Sequence, residues 1–260
     1  MSGCVHSEKD GRIGWILFDH PERRNAMSPN MWGEMAEAVR RFDGDDDVRV
    51  VVMRGAGETS FVSGADISQF AKETGDKTKA NLTRTGGDGF ESLHALEKPS
   101  IAMIHGHCIG GGVLLALAAD IRYASADASF SIPAARLGIG YESFGVEALA
   151  NVVGFPQAVE ILFSGRRFAS DEALRIGLVN RVLPAEDLEA GVRKLAGQIA
   201  ENAPLTVRSI KRSAAELRKE PGRRDMESVH RAVRACFESE DFAEGVKAFM
   251  EKRTPDFSGR

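Results

Sequence analysis

Cysteine is scarce. Cys4, Cys108 and Cys236 are the only three, far apart and with no Cys-x-x-Cys pair, so neither a disulfide framework nor a cysteine zinc site is expected, and a reducing cytosol is the expected compartment. Basic excess is also missing. With 34 Lys and Arg against 38 Asp and Glu, the formal net charge is −4, which leaves no global positive field for nucleic acid or an anionic membrane. A spanning helix would need about 20 continuous apolar residues. The uncharged stretch from Ile101 to Ala119 is broken by His105, Gly106, His107 and the triplet Gly110-Gly111-Gly112, and reads instead as a buried strand, a glycine turn and a buried helix. The opening MSGCVHSEKDGR is charged and has no apolar run after it, so no secretory signal is expected.

Several catalytic motifs are absent as well. The sequence has no Gly-Lys-Ser/Thr step, no His-Glu-x-x-His and no Gly-x-Ser-x-Gly, which removes the P-loop, the zinc-protease helix and the nucleophile elbow. Gly55-Ala56-Gly57 lacks the third glycine of a dinucleotide fingerprint and reads as a plain turn. What is present is ordinary: 260 residues, 43% hydrophobic and 28% charged, enough for a sizeable core and against global disorder. Glycine is enriched at 27 residues, pointing to tight turns or a backbone that approaches a ligand closely.

Strand signals lie at Arg12 to Phe18, Val48 to Met53, Ile101 to Ile104, Ile121 to Ala124 and Ser129 to Ile132. Ser28-Pro29 opens a helix through MWGEMAEAVRRF, and Gly112 to Ala119 forms another. Lys72 to Asp88 is polar and rich in Gly and Thr, a loop or a poorly packed helix. Helical pieces follow at Glu142 to Val153, Pro156 to Ser164 and Ser170 to Ile176. After Pro184 the pattern is wholly helical, through Glu186–Asn202, Pro204–Arg218, Arg223–Glu238 and Asp241–Lys252. Strand–helix alternation with a helical tail implies an α/β core and an α-helical C-terminal subdomain.

The strongest local feature runs from Ile101 through His105-Gly106-His107-Cys108-Ile109 to Gly110-Gly111-Gly112. A triple-glycine turn opening an apolar helix offers an unobstructed N–H at the positive end of a helix dipole, suited to a developing oxyanion. Close packing of helix on strand would favour the same glycines. The adjacent His107-Cys108 pair reads as a buried, inert cysteine beside a histidine rather than a reactive couple.

With Leu117-Ala118-Ala119-Asp120-Ile121 after it, this segment resembles the signature of the crotonase superfamily, the enoyl-CoA hydratase/isomerase family. Pro21-Glu22-Arg23-Arg24-Asn25-Ala26-Met27, Phe61-Val62-Ser63-Gly64-Ala65-Asp66-Ile67, Leu137-Gly138, Ala173-Leu174-Arg175-Ile176-Gly177-Leu178-Val179 and Glu244 to Arg253 agree with it. The resemblance spans about Ile13 to Arg253. It implies a crotonase-like α/β spiral of ββα units, placed at residues 1–200 with the acyl-CoA site. A C-terminal α-helical trimerisation subdomain is placed at residues 201–260. The implied substrate is a coenzyme A thioester, with no further cofactor and no metal, and the implied assembly is a homotrimer or a hexamer built as a dimer of trimers.

By the same resemblance, the backbone N–H groups of Ala65 and Gly111 form an oxyanion hole for the thioester carbonyl. Arg23, Arg24 and Ala26 match the phosphate-side turn, Asp66 and Ile67 the adenine-side turn, and Phe249 and Lys252 the C-terminal helix that helps hold the nucleotide. His107 either lines the acyl pocket or is a satisfied core histidine.

One departure bears on the reaction. Hydratases of the family carry two glutamates where this chain has Leu114 and Ala134, and hydration needs both carboxylates to activate water and protonate carbon. Two neighbours replace them as candidates. Glu142 matches the single base of some enoyl-CoA isomerases, and Tyr141 matches the tyrosine of methylmalonyl-CoA decarboxylases. A helix cap is the alternative role for Glu142. Isomerisation or decarboxylation is therefore the expected reaction, with hydration and a non-catalytic CoA-binding or RNA-binding relative as alternatives. The basic stretch Arg208 to Arg224 reads as a solvated helical face, because no aromatic residues interleave its charges.

Overall fold

A computed structural model describes residues 3–66 and 87–260, with only the backbone of Asp88. Its first two strands, β1 (Cys4–Asp10) and β2 (Ile13–Asp19), form an antiparallel hairpin in which Cys4 pairs with Asp19 and Asp10 with Ile13. Helix α1 (Pro29–Asp43) follows, with proline in its first turn. Then β3 (Val50–Gly55) joins β2 in parallel and β4 (Ser60–Val62) starts a second sheet. Helix α2 (Gly87–Ala95) takes in the end of the polar Lys72 to Asp88 stretch, whose first part lies outside the described residues.

The chain then alternates between the two sheets. Strand β5 (Ser100–Ile104) enters the first and β6 (His107–Ile109) the second, followed by α3 (Gly111–Ala118). Strand β7 (Ile121–Ser125) enters the first and β8 (Ser129–Ser131) the second, followed by α4 (Ala134–Leu137), α5 (Ser143–Val153) and α6 (Phe155–Ser164). After β9 (Phe168–Ala169) and α7 (Ser170–Arg175), β10 (Arg181–Leu183) closes the larger sheet. The sheet orders are β1-β2-β3-β5-β7-β10 and β4-β6-β8-β9. This two-sheet alternation is the α/β spiral that the sequence implied.

The central strands β3 and β5 of the larger sheet are covered on both faces, which explains their nearly continuous apolar sequences. Side chains alternate along β3. Val51 and Met53 face the main core with Met31, Met35 and Leu115, while Val50 and Val52 face α8 (Leu188–Ala200) through Leu188, Val192 and Ala196. Beyond α8 come α9 (Pro204–Arg218), α10 (Met226–Phe237) and α11 (Glu240–Glu251). Of the basic stretch, Lys211 pairs with Asp120, Arg212 with Glu97 and Lys219 with Glu216. The three cysteines are free, and no helix among the described residues is long and apolar enough to cross a membrane.

Three expectations need correction. The strand read at Val48 to Met53 is β3 at Val50–Gly55. The glycine turn does not run directly from β5 into a helix, because the short strand β6 lies between them in the other sheet. The helix read from Arg223 starts at Met226, after a single tight turn at Pro221–Arg223 and a cap in which the Asp225 carboxylate accepts from Ser228 N.

Candidate active site

The site is assembled where the turn after β2 meets the end of β4. Arg24 (φ 53°) and Asn25 (φ 58°) both sit in the left-handed region, costly for residues with a Cβ. The Asn25 side chain compensates. It is only 1% exposed; its Oδ1 accepts from His20 N at 3.0 Å, and its Nδ2 donates to Ala56 O at 3.0 Å and Ser60 O at 2.8 Å. Ser60 Oγ lies 2.9 Å from the carbonyls of both Arg24 and His107, and Ser63 Oγ donates to Arg23 O at 3.0 Å. Met27 N donates to Gly64 O and Asp66 N to Met27 O, at 2.8 and 3.0 Å. This staple fixes the orientation of the 63–66 backbone, with Gly64 at φ 105°, a conformation open to glycine.

The second half of the site is the start of α3. Gly110 N donates to Ser131 O at 2.8 Å, anchoring the turn to β8. Gly112 lies so close to β4 that a Cβ there would stand 2.0 Å from Val62 O. Packing therefore demands this glycine. At Gly111 the demand is different: a Cβ there would stand 3.7 Å from Ala65 N, in ordinary contact. The backbones at Ala65 and Gly111 thus stand side by side across a short gap. Neither has an acceptor among the described residues, since the Met27–Ala65 bridge uses Gly64 O and Asp66 N, and Gly111 opens its helix. An uncommitted N–H at a helix N-terminus, as at Gly111, can hold negative charge on an oxygen.

The other candidate groups are side chains on the helices that follow. Leu114 lies one turn along α3, and Ala134 opens α4. A Cβ on Gly145 of α5 would meet Tyr141 Cε1 at 2.8 Å and Leu114 Cδ2 at 3.3 Å, so the Tyr141 ring and Leu114 converge over that glycine. The Tyr141 hydroxyl is buried with no hydrogen-bond partner among the described residues. Burial pushes its pKa up, so it stands as a neutral O–H donor. Glu142 is exposed and is the N-cap of α5 without a side-chain cap bond.

Beyond Leu114 opens a cleft of about 880 Å³ lined by Phe90, Leu117, Phe144, Glu147 and residues of α9. Glu147 is a carboxylate on this wall that sequence reasoning missed. Its position, five residues past Glu142 on α5, becomes informative only once the helix is oriented.

The remaining sequence-predicted residues separate into three places. Arg23 and Arg24 are exposed on the stapled turn, Ala26 is buried there with its carbonyl 3.0 Å from His20 Nδ1, and Asp66 is buried at its end. His107 lies on β6 with its Nδ1 2.9 Å from Ser129 Oγ; burial, then the charges of Arg167 and Arg24, lower its pKa and favour the neutral ring. Phe249 and Lys252 belong to α11: Phe249 is 82% exposed at an apolar groove between α9, α10 and α11, and Lys252 is the left-handed C-cap. Ile67 lies outside the described residues.

Residues 8–260 match the family model described as enoyl-CoA hydratase/isomerase. The carnitinyl-CoA dehydratase of Proteus mirabilis is 41% identical over 266 aligned positions, covering 100% of both chains, and that of Salmonella typhi is 37% identical with the same coverage. Among solved structures, an enoyl-CoA hydratase/carnithine racemase from Magnetospirillum magneticum superposes with a TM-score of 0.94 at 31% identity, covering 100% of this chain and 97% of that one. An enoyl-CoA hydratase from Bacillus anthracis gives 0.92 at 28% identity, covering 98% and 99%.

Proposed function

This chain belongs to the enoyl-CoA hydratase/isomerase family and is an enzyme that transforms CoA thioesters, and from that premise we propose that it stabilises a thioester enolate between the amides of Ala65 and Gly111 and delivers a proton to it from Tyr141. The reaction we place first is decarboxylation of a malonyl-type CoA thioester. The C–C bond to the carboxylate breaks, its electron pair enters the enolate as CO2 leaves, and the α-carbon then takes the Tyr141 proton, which solvent restores. No base is required, in keeping with Leu114 and Ala134 where carboxylates would stand. The observation that carries this reading is the buried Tyr141 hydroxyl, without a hydrogen-bond partner among the described residues, on a ring that converges with Leu114 over Gly145, while Glu142 faces solvent. Isomerisation needs a carboxylate to shuttle a proton between carbons, which gives Glu142 the smaller part.

A second reading, dehydration of a 3-hydroxyacyl-CoA, is favoured by the full-length likeness to carnitinyl-CoA dehydratases. In that case Glu147, on the cleft that Leu114 lines, supplies the carboxylate. A mass-spectrometric screen of the protein against methylmalonyl-, ethylmalonyl-, 3-enoyl-, crotonyl- and carnitinyl-CoA separates the reactions as loss of CO2, gain or loss of water, or a mass-neutral shift. Turnover of the malonyl thioesters is expected. Turnover of carnitinyl-CoA alone, abolished by Glu147→Gln, would replace the first reading with the second.

The nucleotide contacts proposed for Arg23, Arg24, Ala26, Asp66, Ile67, Phe249 and Lys252 join the stapled turn to α11, and a homotrimer, alone or doubled to a hexamer, would supply α11 from a neighbouring copy. The exposed Phe237, Phe249 and Met250 on α10 and α11 form an apolar surface suited to that assembly. Solution mass by light scattering tests it, and a strictly monomeric chain would contradict it.

A further inference from the structure

The β1–β2 hairpin, at the sheet edge, carries a cluster that the enzymatic reading does not use. Cys4 and His6 alternate onto one face of β1, and Asp19 is the cross-strand partner of Cys4. Their Sγ, Nε2 and carboxylate oxygen lie within 4.8 Å of one another. His6 Nε2 is 3.3 Å from Cys4 Sγ and 3.1 Å from Asp19 Oδ2.

The arrangement is not a nucleophilic relay. A Cys–His–Asp relay divides the two ring nitrogens, one toward the nucleophile and one toward the carboxylate. Here both partners crowd the same nitrogen, so three donor atoms converge on one point. From this geometry we infer a divalent transition-metal site, with Cys4, His6 and Asp19 as ligands and water completing four-coordination. Mixed sulfur, imidazole and carboxylate donors in a tetrahedral frame suit Zn²⁺. Binding breaks the Cys4 S–H bond, forms the metal–sulfur bond and releases the proton to solvent.

Two further features fit an ion. The carboxylate of Glu34 joins that of Asp19 in acting electrostatically on Cys4, so the surroundings are anionic. Glu34 Oε2 also accepts from Val5 N at 2.7 Å, tying the strand that carries two of the ligands to α1. The His6 side chain is 57% exposed and Asp19 34%, which leaves an entry path and room for water. Such a site would clip the edge strand to its neighbour.

The test uses chelator-stripped protein titrated with Zn²⁺, and with Co²⁺ as a spectroscopic probe. One tightly bound ion per chain is expected, with a thiolate-to-cobalt charge-transfer band and visible bands of four-coordinate cobalt. Cys4→Ser should abolish the charge-transfer band, and Cys236→Ser should leave it unchanged. His6→Ala should weaken binding by at least about tenfold to a hundredfold, the loss that even outer-sphere partners cause. Circular dichroism confirms folding of each variant. No binding, or binding and spectra indifferent to Cys4→Ser and His6→Ala, overturns the site whatever the outcome of the activity screen.

Discussion

The two parts of the candidate active site are made of different things. One is backbone: the segments that carry Ala65 and Gly111 are held by the Asn25 staple, the Ser131 anchor and the contact of Gly112 on Val62. The other is side chain: Leu114, Ala134, Tyr141 and Glu142 sit on α3, α4 and the lead into α5. Most of the backbone part cannot be altered without breaking the packing that makes it, Gly112 above all. The side-chain part can change its chemistry and leave the fold alone. On the proposed reading, charge stabilisation is tied to the architecture, and the choice of reaction to a few exchangeable side chains.

Breaking that contrast begins with its most severe test. Gly112→Ala should unfold the protein or destabilise it by about 3 kcal/mol or more in denaturant titration, because the methyl would stand 2.0 Å from a backbone oxygen. Tyr141→Phe should do the opposite. Its turnover should fall by about 10²- to 10⁴-fold, while the thermal midpoint holds or rises, since a buried hydroxyl without a partner among the described residues is removed. Glu142→Gln, a solvent-facing change, should cost less turnover. Equal losses from both would assign the proton transfer to the pair.

Asn25→Ala should lower stability by about 2–3 kcal/mol, because it strands three backbone groups and leaves left-handed residues unsupported. The smallest effect expected is one of pH. Burial lowers the pKa of both His105 and His107 from 6.5. Below that value the unfolded chain binds more protons than the folded one, so stability is complete above about pH 6.5 and declines as pH falls through the lowered folded values. Thermal midpoints at about pH 7.5 and pH 5 check this, and His107→Asn should flatten the difference.

What the sequence made legible follows the same division. Local signals exposed β2, α1, β5, α3 and the C-terminal helices, since apolar periodicity, proline at a helix start and glycine at a turn act over a few residues. Strand β1 was missed because CVHSEKD is polar and largely exposed, and becomes a strand only by pairing with β2. Strand β6 was hidden because its three residues owe their pairing to β4 and β8. Glycines marked the turns at Gly64 and Gly110 to Gly112. Asn25 stood within the quoted motif, but its bonds reach Ala56 and Ser60, and no short-range pattern reveals that. Cys4, His6 and Asp19 meet only through the hairpin register.

The most direct test of the paired amides is Gly111→Ala, assayed on whichever CoA thioester the protein turns over. The new methyl makes only ordinary contacts, 3.7 Å from Ala65 N and Gly64 Cα, and alanine suits a helix better than glycine. The variant should therefore fold with an unchanged or raised thermal midpoint. It should also lose about 10²- to 10³-fold in turnover, because the methyl occupies the gap where the thioester oxygen would sit. A well-folded Gly111→Ala protein that keeps wild-type turnover would contradict the account.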